Sequence, residues 1–419
     1  MTPARGIEQH HSSLDALAGK PSLAQARIAF VYGDYPPSLP DRPDGGSDFL
    51  GRVAEGLVAR GHQVTAIVSS RDDRPGRFVS QAGVRVAPVI HSWTLRSARG
   101  GELSAVRRVL EDDRVDIVHL IYPDPYLRYR SDSYHLPFLL KLAAKIPLVV
   151  TFFGFGVAGA GVVTKAGLVS LFAAANRVVI TDADLLRRFR RTLPWWSGKA
   201  RGGRVGSIAP AGSAAWSQED LDERKAALGL DPGQRHVGFF GFWDPGKGIE
   251  HLLEAVRRLR QGGKDVVLVL IGGRPPAARL ESERALLRLA QELGIAKSVI
   301  DTGPLSPEEV AQYMVAMDLC ALPFQANPLG RSSLAFAVGI GVPTVVTRPA
   351  EDADLLSGLV LLDPPEPAEI AAAIAGLLDD RAAQRAAGEA ARAAARHWSW
   401  DTIIDGYEAI YAELVPRPR

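Results

Sequence analysis

The chain has 419 residues, 47% hydrophobic and 23% charged, which is more than one core of ordinary size and predicts two globular domains. Its net charge of +2, from 49 Lys+Arg against 47 Asp+Glu, argues against bulk nucleic-acid binding. The single cysteine, Cys320 in "DLCALPF", excludes an internal disulfide, and no Cys/His spacing suggests zinc. It is expected to be a small buried residue, in keeping with a reducing, cytoplasmic setting.

Residues 1–24 are polar, lack the apolar core of a signal peptide and are expected to form a loosely ordered lead-in, with His10 and His11 solvated. No apolar run reaches the ~20 residues of a membrane span. The longest candidate, "KIPLVVTFFGFGVAGAGVV", is broken by glycine and fits a buried strand plus loop.

Order begins at "ARIAFVYGDYPP", whose apolar run Ile28 to Tyr32 predicts a buried parallel strand. A loop with Pro36, Pro37, Pro40, Pro43, Gly45 and Gly46 follows, and then a helix with Phe49, Leu50, Val53, Leu57 and Val58 on one face. Ser47 is the expected N-cap and Gly61 the stop, and "HQVTAIVSS" is the next strand. Further strands are "VRVAPVI", "VDIVHLIY", "IPLVVTFF" and "RVVITD". The plan restarts with a strand from His236 to Phe242, a loop, and a helix from Gly248 carrying Ile249, Leu252, Leu253, Val256 and Leu259. Strand Val266 to Ile271, helix "ARLESERALLRLAQELG", strand "VIDTG", helix "SPEEVAQYMVAM" and strand "LCALPF" follow, and "PLGRSSLAFAVGIGVPTVVT" supplies loop, helix and strand. Alternation of this kind predicts α/β architecture with two doubly wound, Rossmann-like domains facing across a cleft. The expected divisions are 25–205, 206–392 and a tail, 393–419, whose amphipathic "WSWDTIIDGYEAIYAEL" crosses back to the first domain.

Four segments could carry chemistry. Lys247 in "GFWDPGKGIE" stands at a loop-to-helix junction, where free N–H groups and the helix dipole favour a diphosphate, although a solvated lysine is the commoner outcome. The Walker spacing is absent. In "PLGRSSLAF", Gly330 permits close backbone approach, Arg331 offers a fork for phosphate oxygens, and Ser332 or Ser333 can cap the helix. Gly45 and Gly46 would form the opposite lip of the cleft, or simply a flexible turn. Arg187, Arg188, Arg190 and Arg191 beside Trp195 and Trp196 suit a membrane surface or an acidic partner, or a solvated helix face. No serine–histidine–acid or paired-carboxylate spacing stands out.

Taken together, "PDGGSDFLGRVAEGLVARGHQVTAI", "VDIVHLIY", "GFWDPGKGIEHLLEA", "DTGPLSPEEVAQYMVAMDLCALPF", "GIGVPTVVT" and "WSWDTIIDGYEAIY" resemble the family-4 glycosyltransferases of the GT-B fold. The resemblance runs from about Arg27 to the last helix. It implies a nucleotide-diphosphate sugar donor held mainly by the C-terminal domain, a sugar or other hydroxyl acceptor held mainly by the N-terminal one, no metal or other cofactor, and retention at the anomeric carbon. It further implies that Lys247 and Arg331 hold the diphosphate, supported by Gly330, Ser332 and Ser333, and that Gly45 and Gly46 approach the donor sugar or the acceptor. The sequence departs from the family where two glutamates are usual: Pro328 and Phe336 stand there. Phe153 replaces a usual histidine and Phe242 a usual arginine. "GRSSLAFAVGIGVP" is similar to a branch that carries R-x-S-L in place of the acidic segment. The alternative expectation is a catalytically silent homologue acting as a partner or binding subunit.

Overall fold

The computed structural model describes residues 25–35, 45–70, 76–122, 134–153, 162–210, 212–274 and 279–415. The expected lead-in and the prolines of the first loop lie outside these residues. The chain divides into two compact units, 1–204 with 400–419, and 205–399.

The first unit contains, in order, β1 (Arg27–Val31), α1 (Gly45–Ala59), β2 (Gln63–Ser69), β3 (Phe78–Val79), β4 (Arg85–Ile90), α2 (Leu95–Arg99), α3 (Glu102–Asp112) and β5 (Ile117–Tyr122). Then come α4 (Leu136–Ala144), β6 (Leu148–Phe152), α5 (Val162–Ala174), β7 (Arg177–Ile180), α6 (Ala183–Thr192) and β8 (Ala200–Gly202). The sheet order is β3-β4-β2-β1-β5-β6-β7-β8. Every pairing is parallel except β3 with β4. Central strands are buried along their whole length because helices cover both faces, so they appear in the sequence as unbroken apolar runs. The first strand ends one residue earlier than expected, leaving Tyr32 beyond it.

The second unit contains α7 (Leu221–Ala227), β9 (Arg235–Phe240), α8 (Ile249–Gln261), β10 (Val266–Ile271), α9 (Glu281–Glu292), β11 (Val299–Asp301), α10 (Pro307–Val315) and β12 (Leu319–Leu322). It continues with α11 (Ser332–Ile340), β13 (Thr344–Thr347), β14 (Val360–Leu362), α12 (Pro367–Asp379) and α13 (Arg381–Ala394). Its sheet is wholly parallel, in the order β11-β10-β9-β12-β13-β14. The strand expected to reach Phe242 stops at Phe240, because Gly241 has φ 129 and turns the chain out of the extended region.

The last helix, α14 (Trp400–Ala412), belongs to the first unit. Its Tyr411 hydroxyl shares a 2.6 Å hydrogen bond with Nδ1 of His119 on β5. His119 Nε2 lies 2.8 Å from the Thr151 hydroxyl, which lies 2.7 Å from the Tyr407 hydroxyl. All four groups are buried, and burial pulls the His119 imidazole down to about 3, so it stays neutral. At the rim, Arg60 pairs with Asp401, Asp405 and Glu408.

Candidate active site

The order of the second sheet reverses at one place. The chain runs outward through β9, β10 and β11, then returns to lay β12 on the other side of β9. In open α/β sheets the crevice beyond the carboxyl ends of such a strand pair is the ligand position. Lys247 follows β9 and Arg331 follows β12, so the topology brings together two residues that are 84 positions apart in sequence.

The loops carrying them are joined by backbone. The Gln325 N–H donates to the Gly246 carbonyl at 3.0 Å, and the Thr347 hydroxyl holds the Phe324 carbonyl at 2.7 Å. Gly248 caps α8 with φ 72, and a side chain there would collide with the Pro323 carbonyl oxygen. Only glycine meets both demands. The Lys247 ammonium sits 5.3 Å from the centre of the Phe324 ring. Desolvation, then the nearby Arg331 guanidinium, push the Lys247 pKa down to about 8, partly offset by Asp244. Among the described residues neither Lys247 nor Arg331 forms an ion pair.

The serines differ from expectation. Arg331 itself is the N-cap of α11, with extended backbone (φ −96, ψ 125) and no side-chain cap. Ser332 and Ser333 are the first two helical residues, so their N–H groups point out of the first turn rather than being capped. Ser332 is exposed, and Ser333 is buried with its hydroxyl facing Gly241 after β9. Gly330, Arg331, Ser332, Ser333 and Lys247 therefore share one strand edge. Phe336 is 1% exposed and packs against Phe240 with the rings tilted and their centres 4.9 Å apart, so its position belongs to the core. Pro328 is buried.

Gly45 and Gly46 lie in the first unit, and they are the first turn of α1 rather than a loop. Ser47 is accordingly inside the helix and not its cap. Gly46 is small for packing: any side chain there would overlap the Tyr32 hydroxyl, just beyond β1. Phe153 packs edge-on against Phe49, ring centres 5.3 Å apart, and joins that unit's core. In the basic–aromatic segment, Leu186 and Phe189 are buried and Arg187 pairs with Asp184, while Arg188 and Arg191 are exposed and Trp195 is 70% exposed.

Sequence reasoning missed the surroundings of Phe242. Its ring is half exposed and carries the Arg274 guanidinium 4.7 Å away. Arg274 also donates to Asp244 and to buried Glu283, both at 2.7 Å. The signal available was an arginine directly after the strand and glycines of "VLIGGR".

Comparison with known proteins places both units in one family. A model described as "Glycosyl transferase 4-like domain" matches residues 44–195, and one described as "Glycosyl transferases group 1" matches 234–380. The chain is 33% identical over 207 residues to a D-inositol 3-phosphate glycosyltransferase of Corynebacterium urealyticum, covering 48% of each chain. It is 31% identical over 255 residues to the Nocardia farcinica protein of that name, covering 58% of this chain and 53% of the relative. The chain thus spans about half the length of the curated relatives it matches. Among solved structures, sucrose-phosphate synthase from Thermosynechococcus elongatus aligns with TM-score 0.70 at 20% identity, covering 93% of this chain and 99% of that one. Anabaena HepE in complex with UDP and glucose aligns with TM-score 0.69 at 16% identity, covering 93% and 100%. At these identities the likeness is one of fold. Matched on both sheets by glycosyltransferase family models, the chain belongs to the family-4 glycosyltransferases of the GT-B fold.

Proposed function

We propose that the protein is a metal-independent, retaining glycosyltransferase that moves a sugar from a nucleotide-diphosphate sugar to a hydroxyl acceptor. One observation carries the reading: Lys247 and Arg331 converge beside an uncapped helix start with no acid paired to either. Two neighbouring cations repel, and a diphosphate between them replaces that repulsion with two charge-assisted contacts. As the bond from the anomeric carbon to the phosphate oxygen breaks, the leaving diphosphate gains negative charge. Lys247, Arg331 and the N–H groups of Ser332 and Ser333 stabilise it there, supplying positive charge that a metal would otherwise bring. The acceptor oxygen bonds to the same carbon on the face the phosphate leaves, and its proton passes to the departing phosphate oxygen. Gly330 allows the backbone to approach the donor, and the Gly45–Gly46 turn of the first unit takes the donor sugar or the acceptor.

UDP or ADP is the nucleotide suggested by structural neighbours, which include HepE with UDP and a starch synthase with ADP. The relatives named for inositol phosphate make a phosphorylated polyol the first acceptor to try. Such matches favour an enzyme over a silent binding partner. The test is thermal shift and donor turnover across UDP-, GDP-, ADP- and dTDP-sugars, because a ligand that binds the folded state raises its stability. A shift with turnover lost in Lys247→Ala supports the reading; no shift with any of the four removes it. The exposed Trp195, Arg188 and Arg191 favour a second, finer reading, in which a cytoplasmic enzyme meets an acceptor at an anionic membrane. Failure to bind anionic vesicles at low salt would sink that version. No helix among the described residues is long and apolar enough to cross a membrane.

A further inference from the structure

Beside the Lys247–Arg331 pair lies a second cluster with no part in the reading so far. Arg274 leaves the carboxyl end of β10 after Gly272 and Gly273, and its fork divides between two acids. One nitrogen reaches Asp244 Oδ1 at 2.7 Å and the other Glu283 Oε1 at 2.7 Å. The Glu283 side chain on α9 is 1% exposed, so it needs a cation close by. Asp244 belongs to the turn that carries Lys247: the Lys247 N–H donates to the Asp244 carbonyl at 3.3 Å. It is also the acid whose charge acts on the Lys247 ammonium, opposing Arg331.

We propose that Arg274 is a positioning residue that takes up the Asp244 carboxylate and thereby leaves the Lys247 ammonium unclaimed for the donor diphosphate. This rests on the assignment of Lys247 to diphosphate binding. Direct phosphate binding by Arg274 fits less well. Both arms of its fork are engaged by carboxylates, and Arg274 with Asp244 and Glu283 sums to one net negative charge, which would not attract an anion. Without Arg274, Asp244 would sit three residues from Lys247 with no cation of its own. It would turn to the ammonium and compete with phosphate. The Phe242 ring would also lose the guanidinium that lies 4.7 Å over it at the same strand end.

The test separates this competition from simple loss of a brace. Removing Arg274 alone would strand the buried Glu283, so the first pair of variants is Arg274→Gln/Glu283→Gln, with and without Asp244→Asn. The second pair is Arg274→Lys, with and without Asp244→Asn. A single lysine ammonium is expected to serve the buried Glu283 and release Asp244. UDP, GDP, ADP and dTDP are each titrated by calorimetry. Both variants that keep Asp244 should bind about five- to tenfold more weakly than the unaltered protein, and Asp244→Asn should restore most of that affinity. A structural brace predicts no restoration, because Asp244→Asn rebuilds nothing. Equal affinity with and without Asp244→Asn, or unaltered affinity in the first variants, overturns the proposal. Failure of both pairs to fold overturns it too, since the cluster would then be a stability element. Lys247→Ala in the same titrations guards the underlying assignment. If it binds as the unaltered protein does, or if none of the four nucleotides binds at all, the site assignment fails, and this inference with it.

Discussion

The second unit holds two lysines at opposite ends of the same two strands. At the amino ends of β9 and β12, Lys225 is 1% exposed and pairs with buried Asp318 at 2.7 Å. Asp318 also accepts the His236 N–H at 2.7 Å, and the Lys225 ammonium donates to the Gln234 carbonyl at 3.1 Å. At the carboxyl ends, Lys247 faces another cation and no acid of the described chain pairs with it. A lysine that holds a fold together is given its counter-charge by the chain. Lys247 is left without one, and burial first, then the repulsion of Arg331, lower its proton affinity, as the proposed anion site would require.

The largest effect should come from breaking the compensated end. Lys225→Ala leaves buried Asp318 only the half-exposed Arg235 guanidinium, 3.4 Å away, as a counter-charge, which should cost about 3 kcal/mol of stability in urea denaturation. Lys247→Ala should not follow suit. It removes a repulsion with Arg331, so its denaturation midpoint should hold or rise. A fall as large as that of Lys225→Ala would erase the distinction between the two ends.

Binding sharpens the contrast next. Lys247→Ala and Arg331→Ala should each weaken nucleotide-diphosphate affinity by about 1.5–3 kcal/mol, roughly ten- to a hundredfold, by calorimetry. Lys225→Met/Asp318→Leu, which removes the buried pair together, should leave that affinity unchanged. The pH dependence is a smaller effect. In the proposed site the charged form of Lys247 would hold the phosphate, and its pKa lies near 8 rather than in the ordinary lysine range. Affinity should therefore fall about tenfold between pH 7 and 9. Lys247→Ala should lack that alkaline limb. The smallest effect belongs to the other unit: Trp195→Ala should change stability by less than about 0.5 kcal/mol, so that any loss of vesicle binding would be specific.

Most of the fold was legible because parallel strands buried on both faces leave unbroken apolar runs, as in "VVLVLI" and "VVTF". The strands that escaped notice, β3, β8 and β14, have two or three residues each, too few for a periodicity. The α1 boundary was misjudged because glycines usually mark a turn, whereas Gly46 is small for the sake of Tyr32. The capping role given to Ser332 or Ser333 followed side-chain preference, but the backbone turn begins one residue earlier, at Arg331. Lys247 and Arg331 could be named from local pattern because each stands at a strand-to-helix junction. Arg274 could not be linked to Asp244 and Glu283, since nothing local ties a residue to an acid 30 positions before it.

The polar seam between α14 and the first sheet has a consequence for how the chain is made. His119 on β5 and Thr151 on β6 find their buried partners in Tyr411 and Tyr407, at sequence separations of 292 and 256 residues. During synthesis from the amino end, domains tend to fold as they emerge. Here the whole second unit leaves the ribosome before the first can close its core. Until α14 is made, His119 and Thr151 lack the Tyr411 and Tyr407 hydroxyls that satisfy them in the folded unit.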